Sequence, residues 1–255
     1  MTASYAPRRP AGTVEVRALR RDDLDDAAEV LARGFAEEPG SRVLLPDPRT
    51  RATVLRTGAH LELGWTMELG SVHVATVDGV VGGVAIWHPP GRGTGSLGGL
   101  GRALVQAVPA LPRLLRPVPH KTSVLLRYSP EAVPLVLARR RAVARASAGL
   151  AWHLAFLATS PDHRGQGLAR ALLDRQLTRC DEDGAAAWLE TTDPVNPPIY
   201  ERFGFATVRH IRRAAWLPGL WVMRRDASPD RQAAQARRDD DDLAHDAGAL
   251  QPADG

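Results

Sequence analysis

One cysteine, one lysine and no apolar run near the ~18–20 residues of a membrane span mark what this 255-residue chain does without. A lone Cys180 excludes an internal disulfide, and it offers no Cys/His spacing for a structural metal, so no metal is expected and Cys180 reads as a helix-end residue without chemistry. The missing apolar run removes a membrane partner. The opening Met-Thr-Ala-Ser-Tyr-Ala-Pro-Arg-Arg-Pro has no apolar centre of the kind a secretory signal needs, so a cytoplasmic protein is expected. Lys121 is the single lysine, so the net charge of +4 rests on arginine, a bias that reads as codon composition more than as adaptation to a polyanion. Arg139-Arg140-Arg141 has no interleaved aromatics and reads as a solvated helix face, so no nucleic-acid partner is expected. Hydrophobic residues at 44% suffice for a core.

Periodicity supplies the organisation. Residues 1–12 and 226–255, rich in Pro, Arg, Asp, Ala and Gly, read as a disordered leader and tail around a domain at 13–225. Thr13 to Ala18 alternates like a half-buried strand, and Asp22 or Asp23 caps a helix carrying Leu24, Ala28, Leu31 and Phe35. A second helix is expected from about Arg49 to Trp65. Val72–Val77 and Val80–Trp87 flank Asp78-Gly79, a two-residue hairpin signal. A long connection, about 88–150, follows as an insertion. It has six glycines in the eleven positions Gly91–Gly101, which read as flexible loop, and helical patterns at Leu104–Leu115 and Pro134–Ala148. Phe205–Ile211 and Leu220–Met223 read as the last two strands.

The most informative stretch lies at 151–180. Ala151–Ala158 is an apolar run of strand length, Ser160-Pro161 breaks it, and leucines 168, 172, 173 and 177 mark the face of a helix ending near Cys180. A strand, a glycine turn and a helix start make a cradle for phosphate, because the first-turn N–H groups lack intrahelical partners and the helix dipole favours an anion. Gly165 and Gly167 let an anion approach the backbone, and Arg164 and Arg170 add charge. The lysine and hydroxyl of a P-loop are missing, as is the third glycine of a dinucleotide fold.

Arg164-x-x-Gly167-x-Ala169, followed one helix and one strand later by Leu189-Glu190-Thr191-Thr192, Asn196, Ile199-Tyr200 and Gly204-Phe205, resembles the GNAT N-acetyltransferase superfamily. Within it, the combination looks like the branch containing puromycin N-acetyltransferase. Ala169 stands where glycine is more usual, and Ile199 where phenylalanine precedes the tyrosine, each still able to fit or pack. The resemblance implies an α/β (α+β) GNAT fold: a mixed central sheet with splayed fourth and fifth strands, flanked by helices, and a helical insertion before the fourth strand. It implies acetyl-CoA as cosubstrate. The main chain of Leu157, Ala158 and Thr159 would hold the pantetheine arm and thioester carbonyl. Arg164, Gly165, Gln166, Gly167, Leu168, Ala169 and Arg170 would take the pyrophosphate, and Asn196 would contact the pantetheine arm. Tyr200 matches the tyrosine that protonates the departing thiolate. The base stays open among Glu190 on the strand bordering the cleft, His153 and water. The implied reaction is direct acetyl transfer to the amine of a small molecule, an antibiotic or an amine metabolite. Acetylation of a protein N-terminus or lysine, or acyl-CoA sensing without turnover, are the alternatives. Oligomeric state is open between monomer and homodimer.

Overall fold

Asp78 and Gly79 adopt φ of 50° and 85°, the left-handed pair that a two-residue hairpin turn requires, and they join β2 (Val72–Val77) to β3 (Val80–His88) as the dipeptide predicts. The computed structural model describes residues 12–68, 71–91, 132–212 and 219–228, with Leu44 and residues 132–136 described by backbone alone. Most of the expected leader and tail, the helix at Leu104–Leu115 and nearly all of the glycine-rich stretch lie outside the described residues.

The remaining elements in chain order are β1 (Val14–Ala18), α1 (Leu24–Phe35), α2 (Pro39–Leu44), α3 (Pro48–Met67), α4 (Ala132–Ala146), β4 (Ala151–Thr159), α5 (Leu168–Glu182), β5 (Ala186–Thr191), α6 (Asn196–Glu201), β6 (Ala206–Ile211) and β7 (Leu220–Arg225). α3 starts where Asp47 accepts the Thr50 N–H at 2.7 Å, with Pro48 at the first helical position. The expected aspartate cap of α1 is different. Asp22 and Asp23 lie in a short 3-10 turn, where the Asp23 carboxylate accepts the Arg20 N–H at 2.8 Å and the Arg17 guanidinium at 2.6 Å. The stronger cationic donor takes the carboxylate, whose pKa falls below the ordinary range chiefly through that bond.

The seven strands form one sheet in the order β1-β2-β3-β4-β5-β7-β6, and only the β4–β5 pair is parallel. This is the mixed sheet flanked by helices that the resemblance implies. One face packs on α5 through Leu154, Leu168, Leu172, Leu173, Leu177 and Leu189. The other carries α1 and α3 over Ala27, Leu31, Leu63 and Ile86, and α4 over Ala142, Ala146, Ala151 and Trp188. Cys180 is buried in the α5 face, and burial pushes its thiol up to about 11, in keeping with a residue without chemistry. Arg140 and Arg141 are exposed on α4, as the solvated-face reading has it. No helix among the described residues is long and apolar enough to cross a membrane.

Candidate active site

The site begins where two strands part. β4 and β5 pair from Ala151↔Ala186 to Leu154↔Leu189, and pairing stops there although β4 runs five residues further. On its other side β4 stays joined to β3, with Leu157↔Ala85, Ala158↔Val84 and Thr159↔Gly83. Beyond the parting, the β4 edge facing away from β3 has no strand partner among the described residues.

At the parting β4 carries a bulge that the sequence reading missed. Ile86 pairs with Phe156 and Trp87 with Leu154, so Ala155 has no opposite residue. Leu154 and Leu157 pack on the α5 side, whereas Ala155 packs on the α1–α3 core and Phe156 meets Phe35 edge-on at 5.6 Å. Two consecutive residues on one face are what a bulge produces, and it leaves backbone polar groups outside the ladder. The odd spacing of Leu154 and Leu157 is the one sequence signal for it.

The chain then turns through Ser160, whose side chain caps the turn at Pro161–His163, into the loop that opens α5. Gly165 and Gly167 have φ of 79° and 82°. Gly167 is the residue before the first turn of α5, that turn has no acidic residue, and a Cβ placed on Gly167 meets nothing within 4 Å. As first-turn groups, the N–H groups of Leu168, Ala169 and Arg170 have no acceptor within the helix. Arg164 is exposed and has no carboxylate partner among the described residues, while Arg170 pairs with Asp174 at 3.4 Å. The Gln166 Oε1 is buried without a partner. Arg33 of α1 braces the loop through Asp162 at 2.8 Å.

Across the opening, β5 leads into α6. Asn196 donates to the Thr191 hydroxyl at 2.9 Å, which fixes its amide against the end of β5. The Thr192 hydroxyl donates to Glu38, the residue that caps α2, so the α1–α2 turn is tied to the same strand end. Tyr200 is half-buried, packs on the α5-side core and meets Phe205 edge-on at 5.8 Å. Burial pushes its phenol up to about 12. Ile199, expected to pack, is 43% exposed; it stands on the outer side of a helix too short to bury two faces.

Glu190 lies on the opposite face. Both its oxygens accept from Arg139 of α4, at 2.8 and 2.6 Å, so the carboxylate is already engaged. His153 is buried beside it, stacked on Trp188 at 3.9 Å, and burial, then the charges of His88 and Arg139, push its imidazole down to about 3. The structure thus brings Leu157–Thr159, the 164–170 loop, Asn196 and Tyr200 around the opening, with Glu190 and His153 on the face opposite α5. No group of three or more His, Cys, Asp or Glu suited to a metal ion occurs among the described residues.

Comparison with known proteins finds likenesses that include this geometry. Residues 119–223 match the family model described as an acetyltransferase (GNAT) domain. An uncharacterized N-acetyltransferase of Schizosaccharomyces pombe is 26% identical over 114 residues, which are 44% of this chain and 46% of that protein, so the match spans about half the length of the curated relative. Among solved structures, one described as histone acetyltransferase HPA2 and related acetyltransferase, from Corynebacterium glutamicum, superposes with a TM-score of 0.56 at 22% identity, covering 85% of this chain and 98% of that one. Arylalkylamine N-acetyltransferase 2 of Aedes aegypti gives 0.55 at 17% identity, covering 85% and 100%. At such identities the likeness is one of fold. The parting of β4 and β5, the glycine loop and Tyr200 all fall inside the residues that match the acetyltransferase (GNAT) domain model.

Proposed function

We propose that this protein transfers an acetyl group from acetyl-CoA directly to the amine of a small molecule. The observation that carries the reading is the end of β4–β5 pairing at Leu154↔Leu189, with the unpaired first turn of α5 at the far end of the same strand. A cosubstrate that is a diphosphate at one end and a narrow amide-bearing arm at the other fits that groove. Arg164, the N–H groups from Gly165 to Arg170 and the dipole of α5 hold the diphosphate. The free edge of β4 at Leu157–Thr159 offers the arm backbone hydrogen bonds, and Asn196 flanks it from β5. When bound, acetyl-CoA supplies an acyl thioester activated toward amines.

The chain's own groups then divide the proton work. The phenol of Tyr200 stays protonated through neutral pH and holds a proton for the departing sulfur. Because Glu190 is bound at both oxygens by Arg139 and burial holds the His153 imidazole down to about 3, water in the opening is the group left to receive the amine's proton. We assign Glu190 to anchoring α4 beside the opening. The likeness of the motifs to the branch containing puromycin N-acetyltransferase favours a small amine over a protein acceptor, and so does the arylalkylamine enzyme among the structural relatives.

Thiol release from acetyl-CoA across aminonucleosides, arylalkylamines, polyamines and peptides tests the reading. The expected result is release that depends on one small-amine class. Release with peptides alone would make it a protein acetyltransferase, and a thermal shift with acetyl-CoA but no release would make it a sensor. A saturating ligand at 100-fold its Kd raises stability by about 2.7 kcal/mol, so the shift is readable.

Gly167→Val is expected to raise the acetyl-CoA KM at least tenfold. A φ of 82° costs a β-branched residue about 1–2 kcal/mol, and relief of that strain twists the first turn of α5 away from the phosphates. An unchanged KM would remove Gly167 from the binding loop.

A further inference from the structure

The second half of α5 borders a groove of its own, away from the 164–170 loop. Its volume is about 370 Å³, within the range of small-molecule sites, and its far side is His73 near the start of β2. His73 pairs with Ala85, so β3 lies between this groove and the strand that borders the opening.

The floor is polar. His73 is 7% and Gln176 1% exposed, yet His73 Nδ1 and Gln176 Nε2 are both enclosed without a partner. The Cys180 sulfur beside Gln176 is a weak acceptor and does not meet that need. Buried polar groups are ordinarily bonded, because an unpaired one loses its hydration with no return. Burial, then the charges of Arg175 and Arg179, push the imidazole down to about 4, so at neutral pH His73 is uncharged and offers one N–H.

The walls carry separated charge. Arg175 is exposed, has no carboxylate partner among the described residues and reaches the Val16 carbonyl only at 3.4 Å. Arg179 lies over the Trp152 ring at 5.5 Å and pairs loosely with Asp183 at 3.6 Å. Glu182 is exposed and has no cation partner among the described residues. Arg175 and Glu182 are seven residues apart, which places them on one helix face about 10 Å apart along the axis. The last turn of a helix also favours a cation. The groove thus has a donor end at Arg175, His73 and Gln176 and an acceptor end at Glu182.

A bare anion there would meet Glu182 and Asp183, and a bare cation would meet Arg175 and leave the floor unpaired. We infer that the groove binds a zwitterion of the ω-amino acid kind, with its carboxylate and ammonium at opposite ends of a flexible chain. The carboxylate sits against the Arg175 guanidinium and accepts from the Gln176 amide and the His73 N–H. The ammonium pairs with Glu182, and the methylenes between them lie along the Arg179 stem. The groove contains none of the residues assigned to acetyl-CoA, so its occupant does not depend on the acetyltransferase reading.

Calorimetry on the full chain without acetyl-CoA tests this, with ε-aminocaproate as the probe and hexanoate and pentylamine as its two halves. The expected result is saturable binding of ε-aminocaproate at millimolar concentrations, with each half at least about tenfold weaker. Arg175→Gln and Glu182→Gln change exposed side chains and are each expected to weaken the probe at least about tenfold. Tyr200→Phe, at the opening, is expected to leave its affinity unchanged. The imidazole resonances of His73 are expected to shift on saturation. Hexanoate bound as tightly as ε-aminocaproate would make the groove a plain anion site and overturn the inference. Affinity that ignores Arg175→Gln and Glu182→Gln would put the probe at the opening instead and overturn it equally. A protein that ε-aminocaproate fails to saturate would leave water as the partner of the floor, which also sinks the proposal.

Discussion

Tyr200→Phe is expected to lower kcat by about 10²–10⁴-fold, the range for loss of a general acid, with the acetyl-CoA KM and the Tm near those of the unaltered protein. The substitution removes one oxygen and leaves the ring that packs on the α5-side core and meets Phe205. The backbone of Tyr200 accepts from both Phe203 and Phe205, so the turn out of α6 does not depend on the phenol. Burial pushes the phenol up to about 12, which raises it above its ordinary 10 and keeps the proton in place at every pH where the protein is assayed. The sign follows directly: ionisation of Tyr200 cannot produce an alkaline loss of activity below about pH 11, and any limb near 8 or 9 belongs to another group. Stopped turnover with intact acetyl-CoA binding is the expected signature. Turnover equal to the unaltered protein would take Tyr200 out of the mechanism and leave the thiolate to depart unaided.

What the sequence discloses here follows how far apart the interacting residues lie. The hairpin at Asp78-Gly79 and the turn from β4 into α5 are local patterns, and each is written in consecutive residues. The long-range arrangement of the site is not. Arg139 reaches Glu190 across 51 positions, so the carboxylate that looked free on a strand end is bound from a helix in the insertion. Glu62 and His88 are 26 positions apart and meet only because α3 crosses the end of β3. The side-chain cap expected from Asp22 or Asp23 is not made at α1, for a related reason. A carboxylate near a helix start has several donors within reach, and only the fold shows that Arg17 wins. The bulge at Ala155 was half legible, since two leucines three positions apart share a face, but a run of consecutive apolar residues hides that spacing.

Asp181→Ala is expected to cost about 3–5 kcal/mol, the range for breaking one side of a buried ion pair. Asp181 near the end of α5 accepts Arg225 Nη2 at 2.7 Å, with the two side chains 3% and 5% exposed, and it also accepts the Ser228 N–H at 2.8 Å. Arg225 in turn donates through Nε to the Phe203 carbonyl at 2.9 Å. Removing the carboxylate strands a guanidinium that cannot deprotonate, and for a domain of this length the loss corresponds to a fall in Tm on the order of 10 °C. The same pair ties α5, which follows the 164–170 loop, to β7, which pairs with β5. Asp181→Ala is therefore expected to loosen the two walls of the opening against each other and to raise the acetyl-CoA KM, whereas Tyr200→Phe leaves it alone. Replacing both partners, as Asp181→Leu with Arg225→Met, is expected to recover most of the lost stability, because no charge is then left unpaired. Equal losses in the single and double variants would show that packing, and not the stranded cation, is what Asp181 supplies.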